Sequence, residues 1–180
     1  MHISKDNTTA LFIDFQQRLF PVMNEKETLL KNTKILVEGL SILGIPFAFS
    51  QQYTKGLGET IDELRNLVPH FSAFEKTDFS CFGAEEYTAF LQQHQSKTII
   101  LCGIEAHVCL LQSAIDLKEY GYFPIVVTDC IASRNALSKE SAIDRLHFEN
   151  IMTCTCESIL FELIRSASAP EFKAISKLVK

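Results

Sequence analysis

Three residues of different chemistry stand where apolar runs end. Asp14 closes the run 8–14, Lys76 closes 71–76, and Cys109 follows the run 98–102 in the opening of a helical pattern, 107–120. A cysteine attacks as its thiolate, not as the thiol. A place in the first turn of a helix lowers the thiol pKa through the helix dipole, and a nearby lysine lowers it further. A carboxylate can take the thiol proton and return it to a leaving group. Backbone N–H groups in a strand-to-helix turn can hold a developing oxyanion. Together these groups would carry out covalent hydrolysis. Taken singly, each has a plainer role: an Asp at a strand end caps a turn, a Lys is a solvated charge, and a Cys beside an apolar helix face belongs to the core. Cys81, Cys102, Cys130, Cys154 and Cys156 are read as core residues.

The elements that must position these residues follow from periodicity. Residues 8–14 are a near-continuous apolar run with β-branched and aromatic members, the pattern of a buried strand. Leu29, Thr33, Leu36, Val37, Leu40 and Leu43 fall at helix spacing, Gly44 ends that helix, and Pro46 opens a second strand, 46–52. Residues 55–59 read as a loop, and a short helical pattern runs on to Leu67. A weak third strand, 71–76, leads to a helix over 84–94. Strands follow at 98–102, 123–128 and 151–153, with helices over 107–120, 138–147, 157–165 and 170–180. Alternating strands and helices with continuous apolar strands predict a single α/β domain over residues 1–180. The expected architecture is three-layer α/β/α with a mostly parallel six-stranded sheet, for which the Rossmann-like order 3-2-1-4-5-6 is taken. In that order the first and fourth strands are neighbours where the strand order reverses, so Asp14 and Cys109 face one crevice.

Composition narrows the function. Gly and Pro number only 7 and 5 of 180 residues, apolar residues make up 47% and charged residues 22%, which is ordinary globular usage. The 17 basic and 22 acidic residues give a net charge of −5. That disfavours nucleic acid or an anionic membrane as partner, since both call for a basic surface. No run reaches the roughly 18 apolar residues of a membrane helix, and the opening segment reads as a first strand rather than a leader. The 6 cysteines sit in or beside apolar runs, as reduced thiols of a cytoplasmic protein do. A glycine-rich dinucleotide turn, a phosphate loop, a C-x-x-C pair and a serine-hydrolase elbow are all missing, so no cofactor is expected.

Longer motifs carry a resemblance. Leu101-Cys102-Gly103-Ile104-Glu105-Ala106-His107-Val108-Cys109 resembles the nucleophile turn of isochorismatase-like cysteine hydrolases, with a glycine six residues before the cysteine. Phe12-Ile13-Asp14-Phe15-Gln16 is similar to that family's first strand, which ends in D-x-Q, and Phe74-Glu75-Lys76 to its lysine segment. Residues 50–58 and 170–175 resemble the isochorismatase domain-containing subgroup. The resemblance implies a catalytic triad of Asp14, Lys76 and Cys109. It also implies a cis peptide between Ile104 and Glu105, and an oxyanion hole made by the N–H groups of Glu105 and Cys109.

The chain departs from the metal-binding nicotinamidases of that family. Where they carry D-x-H after the second strand, it has Gln51-Gln52-Tyr53, so no metal is expected. Gln16, Gln52, Tyr53 and His107 are instead candidates for substrate contact, although a surface-loop role for the segment and a packing or capping role for His107 stay open. The expected activity is metal-independent hydrolysis of a small amide or related C–N substrate through an acyl-cysteine. The alternatives are an idle family member serving as an oligomeric interaction protein, vinyl ether hydrolysis of the isochorismate kind, and a flavodoxin-like binding fold. Apolar residues at helix spacing in 157–165 and 172–179 point to a homo-oligomer, a dimer or larger, in which a second subunit covers them.

Overall fold

A computed structural model describes residues 2–180. Strands β1 (Thr8–Ile13), β2 (Phe47–Gln52), β3 (Phe74–Lys76), β4 (Thr98–Ile104), β5 (Phe123–Ala132) and β6 (Met152–Cys154) form one sheet. Its order is β3-β2-β1-β4-β5-β6 and every pairing is parallel. The helices are α1 (Lys26–Ile42), α2 (Thr54–Leu57), α3 (Asp62–Arg65), α4 (Glu85–His94), α5 (Leu111–Glu119), α6 (Ala136–Phe148), α7 (Cys156–Ile164) and α8 (Phe172–Leu178).

β1 is apolar almost throughout because both its faces are covered. Ala10 and Phe12 point into the layer beneath α1, α7 and α8, with Leu36, Val37, Leu40 and Leu160. Leu11 and Ile13 point into the layer beneath α4, α5 and α6, with Tyr87, Leu91, Leu117 and Leu146. That two-sided burial sets the central strand rigidly, and Asp14 is the next residue along it. Among the described residues no helix is long and apolar enough to cross a membrane.

Four expectations are corrected. The apolar positions assigned to a subunit contact are covered within the chain: Ile159, Leu160, Leu163, Ile164 and Ile175 are buried in the α1 layer. The segment 55–59, read as loop, is helical in its first part: Thr54–Leu57 close one helical turn, with the Gly58 N–H bonded to the Thr54 carbonyl. The stretch 107–120 is not one α-helix. Residues Ala106–Leu110 form a π-helical turn, in which the Leu111 N–H reaches back to the Ala106 carbonyl, and α5 starts only at Leu111. Finally, β5 runs four residues beyond its expected end at 128. Leu101 pairs with Val126 but Gly103 with Ile131, so extra β5 residues bulge out and the strand then rejoins β4.

Candidate active site

β1 and β4 run in register to Ile13 and Gly103. A Cβ on Gly103 would lie 2.6 Å from the Ile13 carbonyl oxygen. Only glycine lets the two backbones come this close where both strands end, and the chains then diverge into the turns that carry Asp14 and Cys109.

Asp14 is fully buried and takes a left-handed backbone, φ 56°. Its Oδ1 accepts from the Ser50 hydroxyl at 2.7 Å, and its Oδ2 lies 2.8 Å from the Lys76 Nζ. Lys76 is itself buried at the end of β3. Its Nζ also donates to Gln52 Oε1 at 2.6 Å, the Phe79 carbonyl at 3.0 Å and the Asp78 carbonyl at 3.3 Å. The ammonium's hydrogens are thereby committed, so Lys76 acts on its surroundings as a fixed charge. Burial works against that charge, but the Asp14 carboxylate, by its charge and its contact, outweighs it and holds the lysine above its ordinary 10.5.

Cys109 lies in the π turn and is 6% exposed. Burial pushes its thiol up to about 12, the Asp14 charge pushes the same way, and Lys76 pulls down. This corrects the expectation of a thiol acidified by a helix dipole. Cys109 does lie in the opening turn of a helical segment that runs on into α5, but the apolar surroundings and the neighbouring carboxylate both favour the neutral form and prevail. At rest Cys109 is therefore a neutral thiol under the influence of Asp14, and a thiolate there would have to be generated by proton transfer. Cys81, buried nearby, is also pushed up to about 12 by burial and by Asp14. One hydroxyl joins the two cysteines' backbones: Ser113 donates to the Cys109 carbonyl at 2.7 Å and accepts from the Cys81 N–H at 2.9 Å.

The Ile104–Glu105 peptide is trans, as all peptide bonds among the described residues are. The expected cis bond is thus corrected: a left-handed Glu105, φ 52° and ψ 52°, turns the chain instead. The Val108 N–H closes onto the Glu105 carbonyl at 2.8 Å. Glu105 is buried, and its Oε1 lies 3.0 Å from the Arg134 Nε. His107 Nδ1 lies 2.9 Å from the Ser133 hydroxyl. Its Nε2 lies 3.6 Å from Glu105.

The candidates for substrate contact separate. Gln16 is fully buried and braces the strand ends: its Nε2 donates to the carbonyls of Gly58 at 2.6 Å and Gln52 at 3.0 Å, and its Oε1 accepts from the Gln52 N–H at 2.7 Å. Gln52 holds Lys76 and the Thr77 carbonyl. Both are positioning residues in this arrangement. Tyr53 is exposed. Among the described residues no three His, Cys, Asp or Glu side chains converge as metal ligands would. A cavity of about 220 Å³ borders Lys76, with Glu75, Asp78, Glu85 and Glu86 along it. Arg134 was not picked out in the sequence. It lies past a strand that reads as ending at 128, and only the bulge in β5 brings it beside Glu105.

The buried ion pair yields a prediction. Lys76→Met leaves the Asp14 carboxylate buried without its cation, which costs about 3–5 kcal/mol. For a chain of this length that corresponds to a melting point lower by roughly 10 °C. Because the folded Lys76 is held above 10.5, this stabilisation is fully present below that pH and is lost as pH rises through the folded value. Thermal melts at pH 7 and pH 11 should show the gap between wild type and variant narrowing at the higher pH. A constant gap would show that the pair does not stabilise through its charge.

A family model described as the isochorismatase domain matches residues 8–157. A Phytophthora sojae protein named secreted isochorismatase effector Isc1 is 34% identical, over 97% of this chain and 85% of its own length. Isochorismatase domain-containing protein 1 of Salmo salar is 35% identical over 96% of this chain, which spans only 61% of that longer protein. Among solved structures, one described as MAR1 ribonuclease from Caenorhabditis elegans superposes with a TM-score of 0.94 at 29% identity, over 99% of this chain and 92% of its own. The Escherichia coli YcaC structure, described as an octameric hydrolase of unknown specificity, superposes at 0.92 with 20% identity, over 99% of this chain and 89% of its own.

Proposed function

The chain belongs to the isochorismatase family, and on that premise we propose that it is a metal-independent cysteine hydrolase acting on a small amide or a related C–N bond. The observation that carries this reading is the buried Asp14–Lys76 ion pair, whose two charges both act on the Cys109 thiol. Asp14 takes the Cys109 proton as the sulfur attacks the substrate carbonyl. The negative charge on the carbonyl oxygen is met by the N–H groups of the 105–109 turn. Asp14 then protonates the departing nitrogen, leaving a thioester on Cys109. Water attacks the thioester, Asp14 accepts its proton, and the released sulfur takes that proton back. Lys76 stays charged throughout as the buried counter-ion of Asp14. Gln51, Gln52 and Tyr53, which offer neither carboxylate nor imidazole, support a reaction that runs without metal.

The description of YcaC as octameric supports a homo-oligomer. The free state of all six cysteines fits a reducing cytoplasm. The nematode relative's description as a ribonuclease supports a second reading, RNA cleavage. The net charge of −5 and the acidic residues beside Lys76 weigh against a polyanionic substrate.

The test is a screen over amides, ureides, N-carbamoyl compounds, isochorismate and RNA, run with and without chelator and quenched in acid for intact-mass analysis. A chelator-insensitive turnover of a C–N compound, with an acyl mass on the Cys109 peptide, is expected. Turnover of RNA alone, or activity restored only by added metal, overturns the proposal.

A further inference from the structure

We propose that Arg134, through its ion pair with Glu105, is the positioning residue that holds the 105–109 turn in register with the reacting carbonyl. The inference rests on the cysteine-hydrolase reading above and adds a residue to it. Glu105 stands in the left-handed region, φ 52°, which a side chain with a Cβ enters only when its surroundings hold it there. Its carboxylate is 11% exposed, so it needs a partner inside the protein. Arg134 supplies one as an ion pair: its Nε lies 3.0 Å from Oε1, which receives no hydrogen bond, and its Nη2 donates to Oε2 at 3.5 Å. The planar guanidinium thus faces both carboxylate oxygens, which constrains the carboxylate's orientation more than a single-point cation does.

The preceding residue makes a second attachment. The Ser133 hydroxyl meets His107 Nδ1 at 2.9 Å, on the other side of Ala106. Two successive residues of the β5 exit thus grip two residues of the β4 exit. The sheet explains why they meet. Gly103 pairs with Ile131 and Ile104 with Ala132, so the strands leave the sheet side by side and the pairing continues through side chains. Arg134 is itself 61% exposed. Its removal should therefore disturb the turn without opening the core.

The turn holds the N–H groups assigned to the oxyanion, and a displacement of about 1 Å in such a group can cost up to about a hundredfold. That effect can be separated from general loosening. Acylation of Cys109 by p-nitrophenyl acetate passes through a tetrahedral oxyanion. Alkylation of the same thiol by iodoacetamide does not.

The experiment measures both rates at Cys109 by peptide mass spectrometry in the wild type, Arg134→Gln, Arg134→Lys and the double variant Glu105→Gln with Arg134→Gln. Labelling of half-buried Cys154 serves as a measure of overall opening. Arg134→Gln is expected to slow acylation about tenfold or more, with alkylation and Cys154 labelling within about twofold of wild type. Arg134→Lys is expected to recover part of the loss, and the double variant to remain slow. Equal slowing of both reactions, faster labelling of Cys154, or full recovery in the double variant would overturn the positioning role, since the last result would trace the effect to an unpaired charge. Failure of either reagent to modify Cys109 in the wild type would instead refute the nucleophile assignment on which this inference rests.

Discussion

Asp14→Asn is expected to lower turnover per folded molecule by about 10³–10⁴, toward the upper end of the range for general acid–base catalysis, because one carboxylate serves both half-reactions. Asparagine keeps the shape and still accepts from Ser50, but it cannot take the Cys109 proton or deliver it to the leaving nitrogen. The same variant should move thiol chemistry in the opposite direction. After burial, the Asp14 charge is the main reason that the Cys109 thiol sits at about 12. Removing that charge lowers the thiol's pKa, while Lys76 still favours the thiolate. Alkylation of Cys109 by iodoacetamide, followed against pH, should therefore reach its midpoint at lower pH in the variant even as hydrolysis collapses. Near-normal turnover in a folded Asn variant would remove Asp14 as the base and turn attention to His107. A midpoint that stays put would mean that the carboxylate does not act on the thiol. Lys76 loses its buried partner in this variant, so melting curves on the same preparation are needed to express turnover per folded molecule.

Cys109→Ala should abolish hydrolysis to the blank rate, a loss of about 10⁴-fold or more, since no covalent intermediate can form. The substitution removes a single sulfur from a site that is only 6% exposed and leaves the Asp14–Lys76 pair intact. Its expected stability cost is about 1 kcal/mol, far below that of Lys76→Met. The informative control is Cys81, which shares the influence of Asp14 and Lys76 but is wholly buried. Cys81→Ala should retain turnover. Acyl mass on Cys81 in the Cys109→Ala protein, or loss of activity in a folded Cys81→Ala protein, would assign the nucleophile to the wrong thiol.

Much of this arrangement is legible from residue pattern because burial on both faces writes itself into a strand. The run at 8–13 reads as a central strand for that reason, and Gly44, left-handed at φ 67°, marks the end of α1 as its position suggests. The alternation of elements yields a parallel sheet covered on both faces, and the order 3-2-1-4-5-6, which the structure shows, brings the ends of β1 and β4 together.

What escapes the pattern has a physical reason in each case. A π turn and the first turn of an α-helix show the same residues at nearly the same spacing, so the π geometry at 106–110 is not legible, and the burial and Asp14 charge that keep the thiol neutral leave no mark in the local sequence. β5 carries Thr128 and Asp129 in its bulge, and polar residues inside an apolar run look like its end. The partners of Gln16 and Gln52 are backbone groups far along the chain, which no side-chain motif announces. The apolar faces of α7 and α8 look unpartnered because their cover, α1, lies more than a hundred residues earlier.

The strand order also divides the site in time. β1, β2 and β3 lie on one side of the β1–β4 junction and bring Asp14, Ser50, Gln52 and Lys76 together, all from the first 76 residues. The thiol arrives only with β4 and the turn beyond it. During synthesis the acid–base half is complete in sequence before the nucleophile has been made, and its burial awaits the docking of β4 on β1. The loop that this docking closes is long, so it belongs among the slow, non-local steps of folding. Activity in a refolding experiment would thus report the joining of the two half-sheets, and secondary structure regained before that step would be catalytically silent.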